Sequence, residues 1–453
     1  MYFSKGNSDK ELMLRAAKIT AEYIKENYEN KKYICVCGPG NNGGDGYYIG
    51  IYLFKAGFDV KIINALAYKT KSHLCFEAFN IAHDLNLIHE PSILNNLNKD
   101  VLIIDAIFGT SLKGSLDESI INLIQIMNSY EYVFSIDIPS GINPDTGAGC
   151  EVYVNANKTI SFVGRKLGLS LNEGKIATGE KYFHDLSLYM ENDYHAAATE
   201  YAFKDVESLL QKRPSNSHKG HFGSTLVLGG DKDMGGAAIM AAEAALKSGS
   251  GLVSLISHQT HLEASLVRNP EIMTIGCDHP KDAILALADK DVFVCGPGLS
   301  LSSWSEQIMK MLIKHLENND GSVIFDAGAL RYIAKNNISL KAIKGPIILT
   351  PHPGEAADLL RMSSKEIQQD RIKAAENLAA KYNATIVLKG AGTVIADDKI
   401  YVCEEGGPEL ATGGTGDVLA GLIGSLIAQG LSAQNASLLA VATHGLAGNE
   451  FVK

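Results

Sequence analysis

Short apolar segments alternate along the chain with longer segments in which apolar residues recur at helical spacing. This alternation is typical of parallel sheets covered by helices. In the first half, the apolar segments predict strands at residues 33–37, 59–65, 101–107 and 132–138. In the second half, they predict strands at residues 224–230, 252–257, 292–298, 322–328, 346–352 and 385–392. The pattern therefore predicts an α/β fold built from two series of strands and helices.

A polar segment, residues 190–220, separates the two series and shows no strand periodicity. A chain of 453 residues with 46% hydrophobic content is long enough for two or three domains with sizeable cores. We therefore place a domain boundary near residue 200, which gives the domains 1–200 and 201–453.

Composition narrows the range of partners and locations. The formal net charge is −10 and no block of basic residues occurs, so nucleic acid and anionic membranes are not expected as partners. Seven cysteines in a chain of this length do not predict a disulfide framework. The first residues lack the basic and apolar pattern of a signal peptide, so a cytoplasmic location is expected.

The most apolar segment near the C-terminus covers residues 418–428 and ends at Gln429 and Gly430. A helix that spans a membrane needs about 20 apolar residues, and this segment is much shorter. It therefore predicts a buried core helix, and the chain is expected to be soluble.

The loop after the first predicted strand reads CGPGNNGGDGYY, residues 37–48. Its glycines match G-x-G-x-x-G, the spacing that lets a strand-to-helix turn approach a pyrophosphate, at Gly38, Gly40 and Gly43. A plain dinucleotide-binding loop has no use for the polar side chains of Asn41, Asn42 and Asp45. The loop therefore indicates nucleotide binding, and it leaves open whether the chemistry is hydride transfer or another reaction.

Most strands of the second half end in glycine together with a polar residue, at 229–231, 296–298, 326–328, 352–355 and 389–393. In an open α/β sheet these ends converge on one edge, where ligands bind. A single such glycine is best explained as a strand terminator. Five of them in one domain predict a ligand site.

The segment ATGGTGDVLAG, which begins at Ala411, predicts a phosphate site. Its glycines leave backbone N–H groups uncovered, and a helix is predicted to begin at about Asp417, so the helix dipole adds positive potential. Asp417 is then placed as a general base beside the phosphate. The alternative is that Asp417 only caps the helix, a role that aspartate performs well.

The sequence GTGD at the start of a helix resembles the ribokinase-like kinases, whose aspartate takes the proton of the attacking hydroxyl. A wider set of motifs resembles the NAD(P)HX dehydratase domain of metabolite repair: HKGHFGSTLVLGG, GGAAIMAAEAALKSGSGLV, GPGL, TPHPGEA, LKGAGT and ATGGTGDVLAG. In the first half, three motifs resemble the NAD(P)HX epimerase domain: GPGNNGGDGYYIG, IDAIFGT and DIPSGINPDTG. The resemblance implies a Rossmann-like parallel sheet followed by a ribokinase-like α/β/α domain, fused as in the bacterial bifunctional enzymes.

For the first domain, the resemblance implies that hydrated NADH or NADPH is interconverted between its R and S forms. It implies a potassium site at Asn42, Asp105 and Ser140, and it places Asp137 at the reacting ring as a catalytic residue. It also implies that the substrate contacts Asn41, Asn42, Gly43, Gly44, Asp45, Gly109, Thr110, Ser111, Leu112, Lys113, Gly114, Ser115 and Asp137.

For the second domain, the resemblance implies removal of water from the S hydrate, with Asp417 as the catalytic base and ADP as the phosphate donor. Mg²⁺ is expected with the nucleotide. The hydrate would contact Ala237, Gly298, His352, Pro353, Gly354, Glu355 and Asp417. The adenine nucleotide would contact Lys389, Gly390, Ala391, Gly392, Thr393 and Gly416. A homo-oligomer that acts on small molecules is expected.

Two positions depart from the family pattern. Gly328 stands where the family has the second aspartate of D-A-D-A-L, and Glu409 stands where it has the second glycine of G-N-P-G-M. Two alternatives therefore stay open: a small-molecule kinase fused to a nucleotide-binding domain, and a nucleotide sensor without catalytic activity.

Overall fold

The computed structural model describes residues 8–28, 32–96, 100–112, 114–188 and 196–451. The chain divides into two units, Met1–His195 and Ala196–Lys453. Each unit has its own sheet and its own hydrophobic core.

The sheet of the first unit has the strand order β3-β2-β1-β4-β5-β6-β7. Every pairing is parallel, as the sequence pattern predicted. The order reverses between β1 and β4, and ligands bind at such a reversal in open α/β sheets. The strands are β1 (Lys32–Cys37), β2 (Val60–Asn64), β3 (Ile88–His89), β4 (Val101–Ala106), β5 (Tyr132–Ile136), β6 (Lys158–Phe162) and β7 (Glu180–His184).

Helices cover both faces of this sheet, and apolar side chains from the strands form one core on each face. β1 is buried from Tyr33 to Cys37, as expected for a central parallel strand. The helices are α1 (Asp9–Asn27), α2 (Asn41–Lys55), α3 (His73–Asp84), α4 (Glu118–Met127) and α5 (Asn172–Ala177).

The sheet of the second unit has the order β11-β10-β9-β12-β13-β14-β15-β16-β17-β8. The pairings from β11 to β15 are parallel, and β16 then forms antiparallel pairs with β15 and β17. The strands are β8 (Thr199–Tyr201), β9 (Ser224–Leu228), β10 (Leu252–Ser257), β11 (Met273–Gly276), β12 (Val292–Cys295), β13 (Ser322–Phe325), β14 (Ile347–Leu349), β15 (Thr385–Leu388), β16 (Val394–Ala396) and β17 (Ile400–Cys403).

The apolar segment near the C-terminus is a core helix, as predicted. A Cβ atom at Gly421 would lie 2.1 Å from the Ala241 carbonyl oxygen, so the backbones of two helices touch there. No helix within the described residues is long and apolar enough to cross a membrane. The helices of this unit are α6 (Phe203–Val206), α7 (Gly235–Lys247), α8 (Leu262–Arg268), α9 (Ser303–Leu316), α10 (Ala327–Asn336), α11 (Pro353–Leu360), α12 (Ser364–Gln369), α13 (Arg371–Tyr382), α14 (Thr415–Ala428) and α15 (Ala433–Phe451).

Two details of the sequence interpretation were wrong. The polar segment 190–220 was expected to contain no strand, but β8 lies within it and pairs with β17. Tyr201 is the one buried residue of β8, and its hydroxyl donates to the Leu438 carbonyl oxygen at 3.2 Å. One buried side chain is too few to produce a recognisable strand pattern in the sequence. The helix α14 begins at Thr415 rather than at Asp417, because Gly414 takes the preceding position at φ 97°.

Candidate active sites

A cavity of about 630 Å³ opens in the first unit at the reversal point, between the segments that follow β1 and β4. The cavity is therefore at the edge of the sheet where ligands are expected. It is lined by nine of the residues predicted to bind substrate: Asn41, Asn42, Asp45, Gly109, Thr110, Ser111, Leu112, Ser115 and Asp137.

The glycines of the first loop divide into two kinds. A Cβ atom at Gly38 would lie 1.9 Å from the Ile107 carbonyl oxygen, and one at Gly43 would lie 1.9 Å from the Gly38 carbonyl oxygen. Gly38 lets the turn after β1 pack directly against the residue that follows β4, and Gly43 lets the first turn of α2 pack against Gly38. Gly40 precedes α2 and lines the cavity, and a Cβ atom there would meet nothing within 4 Å.

Among the described residues of the predicted substrate set, Gly43, Gly44 and Gly114 do not line this cavity. Gly44 packs against Met13 and Cys75, so that it serves the contact between α2 and its neighbours. Gly114 adopts φ 85° in the loop after β4, and Lys113 lies outside the described residues. Contacts between the substrate and these glycines stay a prediction.

Two of the three predicted potassium ligands are in direct contact. Asp105 is fully buried and accepts hydrogen bonds from the Ser140 hydroxyl at 2.6 Å and the Ser140 backbone N–H at 2.8 Å. The Ser135 hydroxyl donates to it at 2.8 Å. Burial raises the pKa of Asp105, and these hydrogen bonds oppose the rise.

Asn42 lies at the cavity wall beside Gly109, where a Cβ atom would lie 3.2 Å from that of Asn42. Its amide nitrogen is buried and has no hydrogen-bond partner among the described residues. Since the two ends of an asparagine amide exchange by rotation, its oxygen can occupy the same position. A buried amide without a partner among the described residues suits a hard cation bound through oxygen.

A second cavity, of about 290 Å³, shares Asn41, Asp45, Thr110 and Asp137 with the first. Burial raises the pKa of Asp45 well above its usual range, and the charge of Asp137 adds to the rise. Asp137 follows β5 at φ 68°, which is unusual for a residue other than glycine, and it forms an ion pair with Lys166. Sequence reasoning did not identify Lys166.

In the second unit, three carboxylates gather around one lysine. The Lys389 ammonium lies 2.9 Å from the carboxylate of Asp326, which is 1% exposed and also accepts a hydrogen bond from the Thr350 hydroxyl at 2.8 Å. Burial alone would lower the pKa of Lys389, but the nearby carboxylates outweigh it and raise that pKa. We call Asp326, Glu355, Asp417 and Lys389 the charge cluster.

Asp417 lies in the first turn of α14 and makes no capping hydrogen bond. The simple capping interpretation is therefore wrong, because Gly414 holds the capping position. Burial raises the pKa of Asp417 to about 6, and the charges of Asp326 and Glu355 add to the rise. A carboxylate with a pKa near the working pH suits general base catalysis.

His352 and Glu355 form the start of α11 through a capping box. The His352 imidazole accepts the N–H groups of Gly354 and Glu355, while the Glu355 carboxylate accepts the His352 N–H at 2.9 Å. Pro353 is the first residue of the helix. The predicted set 352–355 is thus held rigidly, and its buried member, Glu355, belongs to the charge cluster.

The loop Lys389–Thr393 follows β15, and a buried arginine forms hydrogen bonds with the backbone of the loop and of the strand. The Arg371 guanidinium donates to the carbonyl oxygens of Ala391 at 2.6 Å and Leu388 at 3.0 Å. Gly390 and Gly392 have positive φ angles, which fold the loop back towards α14. A Cβ atom at Gly416 would lie 3.3 Å from the Lys389 ammonium, so the loop and the helix start meet there.

Gly298 and Ala237 are distant in sequence from the residues of the charge cluster, and they belong to two segments that pack against each other. Gly298 has φ 67°, and a Cβ atom there would lie 2.3 Å from the carbonyl oxygen of Met234, just before α7, which carries Ala237 in its first turn. Asp231 fixes this arrangement, since it accepts hydrogen bonds from three serine hydroxyls, those of Ser300, Ser302 and Ser305. Burial would raise its pKa, but these bonds outweigh burial and lower the pKa to about 2.

Both departures from the family pattern have a local explanation. A Cβ atom at Gly328 would lie 2.2 Å from the Leu299 carbonyl oxygen, so the backbone packs where a side chain would stand. The Glu409 carboxylate accepts the Gly407 N–H at 2.5 Å and therefore turns back onto its own loop.

Two family models match the chain. One, described as YjeF-related protein N-terminus, matches residues 9–168, and the other, described as NAD(P)H-hydrate dehydratase, matches residues 225–453. The bifunctional NAD(P)H-hydrate repair enzyme of Coxiella burnetii is 36% identical over 449 residues, which cover 98% of this chain and 90% of that protein. The chain belongs to the bifunctional NAD(P)H-hydrate repair enzymes.

Solved structures agree with this family in the second unit. A ribokinase-like superfamily protein of Enterococcus faecalis is 31% identical, with a TM-score of 0.53, over 58% of this chain and 91% of that chain. An ADP/ATP-dependent NAD(P)H-hydrate dehydratase of Bacillus subtilis, crystallised with ATP and Mg²⁺, is 32% identical, with a TM-score of 0.51, over 56% of this chain and 90% of that chain. The predicted fold class, a Rossmann-like sheet followed by a ribokinase-like domain, is confirmed.

The close contact at Gly43 yields a test of the first site's architecture. Gly43→Ala would place a methyl group against the Gly38 carbonyl, and overpacking of this kind costs about 1–3 kcal/mol. We expect a loss of stability near the upper end of that range. Hydrogen exchange, measured by mass spectrometry on peptides from β1 and β4, reports the change. Gly40→Ala is the matched control and should cost about 1 kcal/mol at most, because that site is open. Equal losses in both variants would contradict the account.

Proposed function

We propose that the first unit interconverts the R and S hydrates of NADH and NADPH, and that the second unit dehydrates the S hydrate with ADP, releasing AMP and phosphate. Family membership supports both activities. The observation that carries the dehydratase is Asp417, a half-buried carboxylate with a pKa of about 6 at the start of α14. We further propose that the boundary near residue 200 separates the two activities, and that the chain forms a homo-oligomer.

In the first unit, the loop after β4 would hold the phosphates of the substrate, because glycine and hydroxyl residues at a sheet edge present donors to anions. Potassium would be held by Asn42, Asp105 and Ser140 and would supply positive potential at the cavity wall. The hydrate is a hemiaminal, so we propose that its ring opens and recloses on the other face. Such a route needs an acid and a base, and Asp45 and Asp137 both line the cavity.

In the second unit, the hydroxyl of the S hydrate must become a better leaving group, because hydroxide leaves poorly. We propose that Asp417 takes the hydroxyl proton as the oxygen attacks the terminal phosphate of ADP. Phosphate then leaves from the ring. The N–H groups at the start of α14 would bind the transferred phosphate, and Lys389–Thr393 would lie along the nucleotide.

Mg²⁺ is proposed to enter with the nucleotide. Within the described residues, no group of three or more metal-binding side chains could hold a metal ion by itself. Magnesium commonly uses one or two carboxylates together with substrate phosphates, so this finding fits a shared site. Among the described residues, Glu355 and Asp417 are the carboxylates placed to contribute.

The two alternatives make distinct predictions. A small-molecule kinase would accumulate a phosphorylated hydrate without releasing NADH. A nucleotide sensor would bind the nucleotide tightly without turnover. Return of NADH absorbance from S hydrate and ADP therefore distinguishes the dehydratase from both alternatives, and the presence or absence of a phosphorylated hydrate distinguishes the kinase from the sensor.

The potassium site can be tested with Asn42→Ala. Loss of one ligand should raise the potassium concentration needed for half-maximal activity and slow R-to-S conversion about 10- to 100-fold. Potassium titration of the epimerase rate measures both effects. Dehydration of pure S hydrate by the same preparation is the control and should not change. An unchanged potassium dependence would exclude Asn42 as a ligand.

The catalytic assignment of Asp417 can be tested with Asp417→Asn. A positioned base contributes about 10²–10⁴ in rate, so dehydration should fall at least about a hundredfold, with ADP affinity little changed. Initial rates of NADH formation, together with ADP binding by calorimetry, measure the two quantities. In the unmodified protein the rate should also rise with pH through about 6, as Asp417 loses its proton. Near-normal dehydration in the variant would refute the assignment, and persisting epimerisation would show that the fold is intact.

A further inference from the structure

Lys166 lies beyond the end of β6 and reaches back to the candidate epimerase site. Its ammonium forms an ion pair with the Asp137 carboxylate and donates to the Phe162 carbonyl oxygen at 2.8 Å. The side chains of Lys166 and Asp137 are 16% and 19% exposed, so solvent screens this pair less than a surface pair. The proposed epimerase and dehydratase reactions assign no role to Lys166.

The pair stands where the two cavities of the first unit meet. Asp45 and Asp137 line both cavities, whereas Lys166 lines only the smaller one. The far wall of the smaller cavity is mostly apolar, with Leu12, Met13, Ala16, Phe162, Val163 and Leu186. The charged residues that share a cavity with Asp137 are Asp45 and Lys166, with Asp9 at the smaller cavity and Lys69 and Asp117 at the larger one.

Two residues at this junction, Asp137 and Val163, have unusual backbone conformations. Asp137 has φ 68° and Val163 has φ 65°, and each directly follows a parallel strand. A left-handed conformation in an aspartate or a valine is unfavourable, and such strain concentrates at functional sites. Both turns are held by the sheet, because the Asp137 N–H donates to Ile160 at 2.7 Å and the Val163 N–H donates to His184 at 3.1 Å.

The two carboxylates have different environments. Asp137 has a cation in direct contact, whereas Asp45 is desolvated and faces the charge of Asp137, which together raise the pKa of Asp45. The two neighbouring carboxyl groups therefore differ in the charge that faces each of them.

We propose that Lys166 is a positioning residue of the epimerase, which holds the Asp137 carboxylate in place as the base while Asp45 serves as the acid. This inference rests on the proposed function of the first unit. During ring opening, Asp137 accepts the hydroxyl proton, the C6 oxygen forms a carbonyl and the bond between N1 and C6 breaks. The electron pair of that bond goes to N1, which receives the proton of Asp45. Reclosure on the opposite face returns both protons.

The experiment compares Lys166→Met and Lys166→Arg in the full chain, with R-to-S conversion followed by chromatography. Lys166→Met should lower kcat about 10- to 100-fold with less than about a threefold change in KM, because the charge acts on the base and not on binding. Lys166→Arg should stay within about threefold of the unmodified kcat. Lys158→Met is the matched control, since Lys158 is also 16% exposed and pairs with Glu180 at the other end of β6. It should keep kcat.

A second comparison separates positioning from a structural role. In an Asp137→Asn background, Lys166→Met should lower kcat less than about threefold further, because the group it acts on is gone. Lys166→Gln replaces Lys166→Met in this cycle if the methionine variant folds poorly by circular dichroism. An unchanged kcat in Lys166→Met, or equal losses in both backgrounds, would overturn the proposal. Absence of epimerisation in the unmodified protein would instead overturn the proposed function.

Discussion

In each unit of this protein a lysine lies among the carboxylates gathered at the edge of the sheet, Lys166 in the first unit and Lys389 in the second. Lys389 contacts Asp326 and lies near Glu355 and Asp417. Without it, the three carboxylates would repel one another, and more of them would take up protons. With it, Asp417 keeps a pKa of about 6 and can change its protonation state near neutral pH.

Glycine packing brings these side chains to the sheet edges. In the first unit, Gly38 lets the turn after β1 touch the residue that follows β4, and Gly43 lets α2 pack against that turn. In the second unit, Gly421 lets α14 approach α7. A β-carbon at any of these three positions would overlap a backbone carbonyl. The chemistry of both sites therefore depends on backbone contacts that leave no space for side chains.

The sequence predicted the parts of the fold that follow from long apolar patterns. All ten predicted strands occur, and so does the buried helix after Asp417. The sequence interpretation missed the other seven strands, β3, β6, β7, β8, β11, β16 and β17. Five of these have four residues or fewer, and β6 and β7 have five each. Of the site residues, those in glycine-rich motifs could be predicted. Lys166, Asp326 and Arg371 were not assigned roles, because their importance depends on contacts with residues distant in sequence, such as Lys166 with Asp137 and Arg371 with Ala391. The strand end 326–328 placed Asp326 at the predicted ligand edge without a role, whereas no motif singled out Lys166 or Arg371.

The central claim is that one chain carries two activities that together repair both epimers. The most direct measurement supplies an equal mixture of R and S hydrates of NADH with ADP, Mg²⁺ and potassium, and follows NADH absorbance together with AMP. The account predicts that both epimers are consumed faster than they interconvert without enzyme, with one AMP formed for each NADH. If half of the hydrate persists at high enzyme concentration, or if NADH returns without AMP, the account is contradicted.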